Sequence, residues 1–186
     1  MNKRLIIIEG FDRSGKDTLM KDLNKLNLTN TYIYFNDLEG LPKYDKEQDS
    51  FLNWLNKFIQ RQVNDLNKLF DTYDTIIMTR LLISDEVYST LFNREHTTIK
   101  YMKLLRKDIE IYNYCILFDN YDEYLKRLDK INDKYVQYNH REFDAINQLY
   151  FQLVDFINNS KINLILANTL PKDILDNFLK LYNYDK

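Results

Sequence analysis

The sequence predicts an α/β protein, a five-stranded parallel sheet with helices on both faces. Two observations carry that prediction. Short runs rich in β-branched and aromatic residues alternate with helical patterns about five times along 186 residues, and such alternation calls for a parallel sheet with a helix in each crossover. No internal repeat or long linker interrupts it, so residues 1–186 read as a single domain. That length is enough to bury a real core. In sheets of this kind ligands sit beyond the carboxyl ends of the strands. The residues to read are therefore those where each strand runs out.

Arg4 to Ile8 is a short apolar run and reads as a buried strand. Lys16 to Leu26 is a helix with Leu19, Leu23 and Leu26 on one face. Thr31 to Phe35 is a second strand, followed by a polar loop with Gly40 and Pro42. Asp49 to Phe70 is a long amphipathic helix, because Phe51, Leu55, Phe58, Ile59, Val63, Leu66 and Phe70 recur at helical spacing. Thr75 to Met78 is a third strand, with Thr79 and Arg80 at its carboxyl end and a helical stretch from Ser84 to Phe92. Thr97 to Tyr112 reads as another amphipathic helix, with Ile99, Met102, Leu105 and Ile109 inward. Tyr114 to Phe118 is a fourth strand, ended by Asp119, and Tyr121 to Lys130 a helix that decays into a charged segment, Lys130 to Arg141. Glu142 to Asn158 is a helix carrying Phe143, Ile146, Leu149, Leu153 and Phe156. Ile162 to Leu166 is a fifth strand, and Pro171 to Tyr182 a closing helix with proline at its start. The strand ends thus gather Glu9 to Thr18, Asn36-Asp37, Thr79-Arg80, Asp119 and Ala167-Asn168.

The stretch between the first strand and first helix is the most informative. The chain has three glycines, and two of them, Gly10 and Gly15, bound the loop Gly10-Phe11-Asp12-Arg13-Ser14-Gly15-Lys16. G-x-x-x-x-G-K is the spacing of a phosphate-binding loop. Glycine lets backbone N–H groups turn inward around a polyphosphate, and the next helix points its positive end at the same anion. Lys16 would then reach the outer phosphates. Serine or threonine normally follows that lysine with a hydroxyl on Mg²⁺; here Asp17 stands there, with Thr18 next. A carboxylate is a good ligand for a hard cation but repels a triphosphate, so Asp17 is the candidate Mg²⁺ ligand, directly or through water, with Thr18 the alternative that partly compensates.

Composition narrows the class. Hydrophobic residues make up 45% and charged residues 29%, an ordinary soluble balance. A net charge of −2 argues against broad nucleic-acid binding, which needs a basic surface. Cys115 is the one cysteine, which excludes an intrachain disulfide and fits a reducing, cytoplasmic setting. The first strand begins too close to Met1 for a signal peptide, and no apolar run approaches a membrane span.

Several segments together resemble the thymidylate kinase family of nucleoside monophosphate kinases. The loop reads E-G-x-D-R-x-G-K from Glu9 to Lys16. Thr79-Arg80-Leu81-Leu82-Ile83-Ser84-Asp85-Glu86-Val87-Tyr88 is similar to that family's D-R-Y-x-x-S-x-x-A-Y, with Thr79 and Leu81 replacing the leading Asp and the first Tyr. Phe58-Ile59-Gln60-Arg61 resembles its substrate helix, Cys115 to Asp119 with Lys126-Arg127-Leu128 its fourth strand and the start of its lid, and Glu142-Phe143-Asp144 the segment after the lid. The resemblance implies a P-loop kinase three-layer sandwich with a lid at approximately 127–141, acting in the cytoplasm on small-molecule nucleotides, with ATP and Mg²⁺. It implies no nucleic-acid or membrane partner and leaves a homodimer open.

It also implies roles. The loop residues Gly10, Asp12, Arg13, Ser14, Gly15, Lys16, Asp17 and Thr18 would hold ATP and its metal. Lys16, Arg13 and Arg80 would be catalytic, Arg13 stabilising the transferring phosphoryl group. Arg80 and Arg61 would grip the acceptor phosphate, since guanidinium groups hold phosphate oxygens bidentately. Asp12 would bond the deoxyribose 3′-hydroxyl, Phe58 (or Trp54, a helical turn earlier) would stack on the base, and Ser84, Asp85 and Tyr88 would supply polar contacts to it. Arg127, Lys130, Lys134 and Arg141 keep a lid-borne catalytic cation open. One departure bears on the acceptor. After the second strand the family presents a proline-containing segment with an arginine; here the chain reads Phe35-Asn36-Asp37-Leu38-Glu39, and the next basic residue is Lys43.

The reading is therefore transfer from ATP to a deoxynucleoside monophosphate, with dTMP the default acceptor. Two alternatives stand beside it. Arg80 followed by Ser84-Asp85 also fits the deoxynucleoside kinase pattern E-R-S-x-x-S-D, which needs a carboxylate base near a 5′-hydroxyl, here Asp37 or Glu39. Asp17 and the thinned acceptor motif also suit a nucleotide-binding protein without turnover.

Overall fold

The computed structural model describes residues 3–11, 13–36, 48–131, 138–156, 161–166 and 171–184. Asp12, Asp37, Glu39, Gly40, Pro42, Lys43, Lys134, Ala167 and Asn168 lie outside them, as do the side chains of Ile99, Lys130, Leu153 and Phe156.

The elements run β1 (Lys3–Gly10), α1 (Lys16–Lys25), β2 (Thr31–Tyr34), α2 (Gln48–Leu69), β3 (Thr75–Thr79), α3 (Leu82–Leu91), α4 (Thr98–Met102), β4 (Ile109–Leu117), α5 (Tyr121–Ile131), α6 (His140–Phe156), β5 (Lys161–Leu166) and α7 (Pro171–Tyr184). Five strands form one sheet in the order β2-β3-β1-β4-β5. Every pairing is parallel. All five carboxyl ends therefore open on the same edge, and β1, which carries the phosphate-loop sequence, lies at the centre of it.

Leu5 to Ile8 of β1 form an unbroken apolar run because both faces of the strand are covered. Leu5 and Ile7 point to one side, where they pack with Ile76, Met78 and the α2 residues Phe58, Ile59, Val63 and Leu66. Ile6 and Ile8 point to the other, against Leu19 and Leu23 of α1, Ile83 and Val87 of α3, Phe143, Ile146 and Tyr150 of α6, and Phe178 of α7. The period of two along the strand thus separates two cores. Among the described residues no helix is long and apolar enough to cross a membrane.

One expected element differs. The helix read from Thr97 to Tyr112 is a short helix, α4, and β4 already begins at Ile109. The spacing Met102, Leu105, Ile109 matches a helix, but Ile109 and Ile111 also satisfy strand alternation, and both pack on the α2 side. The decision is long-range: β4 pairs with β1 residue for residue from Lys3↔Ile109 to Gly10↔Ile116. That ladder outweighs a local helical preference.

Candidate active site

The loop between β1 and α1 is built on two glycines with positive φ, 126° at Gly10 and 106° at Gly15. At Gly10 the need is also steric, since a Cβ there would lie 2.1 Å from the Ile116 carbonyl oxygen of β4. Phe11 anchors the loop by burying its ring among Phe118, Tyr124, Tyr138 and Phe143. Ser14 N–H closes the turn on the Phe11 carbonyl at 3.2 Å. Arg13 is left-handed, φ 66°, a conformation few non-glycine residues adopt. Lys16, in the first turn of α1, lies along the loop. Its Nζ donates to the carbonyls of Gly10, at 2.8 Å, and Phe11, and is 3.5 Å from Ser14 Oγ. Asp17 and Thr18 follow it, both exposed. The positive end of α1 faces the same loop.

Arg80 stands on the neighbouring strand end. Thr79 pairs with Ile8, and Arg80 N–H donates to the Ile8 carbonyl at 3.1 Å. Its φ is 51°, so an arginine is held in a left-handed bend, exposed, one strand away from the phosphate loop. Strained residues of this kind persist where the surroundings over-determine them.

Glu9 explains how that bend is held. The sequence placed it in the strand-end motif without a role. It is wholly buried and accepts from the backbone N–H groups of Leu81 (3.1 Å), Ile83 (3.1 Å) and Ser84 (3.2 Å), and from Ser84 Oγ. A carboxylate thus caps α3 from a different element, satisfying donors that a helix start leaves open. The capped helix follows Arg80 directly. The signal was a lone acidic residue at the end of an apolar strand, which must be paired if buried.

Three residues expected around the base have other occupations. Ser84 spends its hydroxyl on Glu9 and lies 3.1 Å from Tyr150 Oη. Asp85, 7% exposed, accepts the backbone N–H groups of Thr97 (3.0 Å) and Thr98 (2.8 Å), and pairs with Arg94 at 3.5 Å. It therefore caps α4 rather than presenting a free carboxylate. Tyr88 is partly buried and stacks on Phe92, ring centroids 6.3 Å apart.

The α2 side brings Phe58, Trp54 and Arg61 together. Phe58 is 9% exposed and belongs to the core, with Trp54 stacked on it at 4.7 Å and the Arg61 guanidinium over its ring at 5.7 Å. Beside them is a chain of amides that sequence reading missed. Gln62 Nε2 donates to Asn36 Oδ1, and Asn36 Nδ2 donates to the Thr79 carbonyl, just before Arg80. Gln62 is 1% exposed, and its Oε1 has no hydrogen-bond partner among the described residues. The signal was present: Gln62 occupies the apolar stripe of α2, between Phe58, Ile59, Val63 and Leu66. Nearby, burial pushes the Tyr34 hydroxyl up to about 12, with Asp65 adding to it and Arg61 opposing.

Of the cations expected in a lid, Arg127 lies on α5 and reaches the loop, its Nη1 3.9 Å from where a Gly15 Cβ would stand. Arg141 is exposed on α6. Among the described residues no group of three or more His, Cys, Asp or Glu gathers as a metal cage.

No protein-family model matches the sequence, and no curated protein matches it. Solved structures do. A deoxyadenosine kinase from M. mycoides with bound dATP superposes with a TM-score of 0.65 at 16% identity, over 96% of this chain and 99% of that one. The YorR protein from Bacillus subtilis, in complex with phosphorylated GDP, gives 0.64 at 19%, over 97% and 96%. Thymidylate kinase from Candida albicans gives 0.57 at 14%, over 99% and 92%. The fold of this chain is that of the P-loop nucleotide kinases.

Proposed function

We propose that this protein transfers the terminal phosphoryl group of ATP to a deoxynucleoside monophosphate, with dTMP as the default acceptor, and that it does so in the cytoplasm. One observation supports the reading above the others: Lys16 and Arg80 start from adjacent strand ends, β1 and β3, joined by the Arg80–Ile8 hydrogen bond. Transfer between two phosphates needs a cradle for the donor, a clamp for the acceptor and positive charge between them.

In this reading Lys16 and the loop amides hold the donor. Arg80, with Arg61, clamps the acceptor phosphate, whose own oxygen attacks, so no strong base is needed. Arg13 neutralises charge on the transferring group, and Arg127, lying beside Gly15, supplies a second guanidinium from α5. The stacked pair Phe58 and Trp54 offers the base its platform, Trp54 covering one face of Phe58, and Asp12 takes the 3′-hydroxyl. Asp17 suits Mg²⁺ as one hard oxygen at the mouth of the loop, the kind of site that takes one or two carboxylates and completes its shell with phosphate oxygens and water. When bound, Mg²⁺ would neutralise charge on the outer phosphates.

The experiment is an ADP-release screen with ATP and Mg²⁺ against the four dNMPs, dUMP and the matching nucleosides. A signal with a monophosphate, lost in Lys16→Ala, is the expected result. A signal with nucleosides alone would move the reaction to the 5′-hydroxyl and make Asp37 or Glu39 the base to mutate. That second reading has one specific support, Ser84-Asp85 at the offset from Arg80 that nucleoside kinases show. Silence from a protein that still binds ATP would favour binding without turnover.

A further inference from the structure

Tyr150 lies on α6, wholly buried, 140 positions from Gly10. Its Oη donates to the Gly10 carbonyl at 3.0 Å and is 3.1 Å from Ser84 Oγ. Each hydroxyl has one proton. That of Ser84 goes to the Glu9 carboxylate, the strongest acceptor in reach. Ser84 therefore has none to give Tyr150, and the tyrosine proton is available to Gly10.

Gly10 O also accepts from Lys16 Nζ, as Phe11 O does. Each has a second donor. Phe11 O has Ser14 N–H, and Gly10 O has Tyr150 Oη. The lysine can leave either carbonyl without stranding it. A buried carbonyl left without a donor carries a penalty, which would draw the ammonium back to the loop. The Ser14 donor is backbone and comes with the turn. The Tyr150 donor is a side chain delivered from a helix beyond the lid segment.

We propose that Tyr150 is a positioning residue for Lys16: by keeping the Gly10 carbonyl hydrogen-bonded, it lets the lysine exchange that carbonyl for the outer phosphates of a nucleoside triphosphate. The inference rests on the phosphate-gripping reading of Lys16 and assigns the residue that releases it.

The test is a double-mutant cycle on the full chain. ATP affinity is measured with Mg²⁺ for wild type, Tyr150→Phe, Lys16→Met and the double variant, with a melting curve for each free protein. Tyr150→Phe should weaken ATP about tenfold, the scale of one stranded buried acceptor, while the free protein, whose Gly10 carbonyl keeps Lys16, melts close to wild type. In the Lys16→Met background the same change should have no further effect. Wild-type affinity in Tyr150→Phe overturns the proposal, and so does equal weakening in both backgrounds, which marks a merely structural role. If Lys16→Met itself binds ATP like wild type, the functional reading fails and this inference falls with it, a distinct pattern. A crystal structure with ATP gives a variant-free check: Lys16 Nζ should have left Gly10 O with Tyr150 Oη still on it, and a tyrosine displaced from that carbonyl refutes the role.

Discussion

At the scale of single residues, the conformation of Arg80 matters as much as its charge. A left-handed arginine, φ 51°, aims its guanidinium from a bend fixed on both sides, by the Ile8 carbonyl before it and the Glu9-capped helix after it. Arg80→Ala should lower turnover by about 10²–10³-fold, as loss of one preorganised charge donor does, while ATP affinity, measured by calorimetry, stays near wild type. Glu86 carries a second prediction. Burial raises its carboxyl above the ordinary range, Asp85 adding to this and His96, at 2.6 Å, pulling back. A group whose folded-state pKa is raised contributes stability below its unfolded pKa and loses that contribution as pH rises through the folded value. Glu86→Gln should therefore be more stable than wild type in urea at pH 7, with the gap closing near pH 4. Lys16 and the glycines were legible in the sequence because their spacing is local. Glu9 and Gln62 were not, because a buried polar side chain reveals its purpose only through partners brought by other elements.

At the scale of elements, α3 is held at its start by a side chain from β1. Removing it leaves three backbone donors and a serine hydroxyl without their shared acceptor. Glu9→Ala should cost about 3 kcal/mol or more, seen as an earlier midpoint in chemical denaturation, and Glu9→Gln less. The reading from Thr97 to Tyr112 failed for a reason that belongs to this scale: Ile109 and Ile111 fit both periods, and only pairing with β1 chooses between them. The other helices were legible because their apolar stripes are long, as α2 shows from Phe58 to Phe70.

At the scale of the molecule, the parallel sheet in the order β2-β3-β1-β4-β5 brings every strand end to one edge, and that order was not readable from any local pattern, although the alternation of elements required a parallel sheet. A ligand held at that edge touches several elements at once. ATP with Mg²⁺ at a hundred times its Kd should therefore raise the melting temperature by roughly 5–10 °C, as mass action requires for a protein of this size. Chelating the metal, or Asp17→Ala, should shrink that shift in a thermal melt.

Gly10 carries a consequence for reading descent. Its missing side chain is demanded by the backbone of β4, not by any nucleotide. A descendant without the proposed activity would still need glycine there to keep β1 paired with β4. Gly15 is under no such compulsion, since its neighbours leave ordinary room; only its left-handed backbone, which shapes the loop, resists replacement. On the proposed function, decay of the chemistry among sequences of this lineage should thus be written first at Gly15, Lys16 and Arg80, while Gly10 persists as a record of architecture.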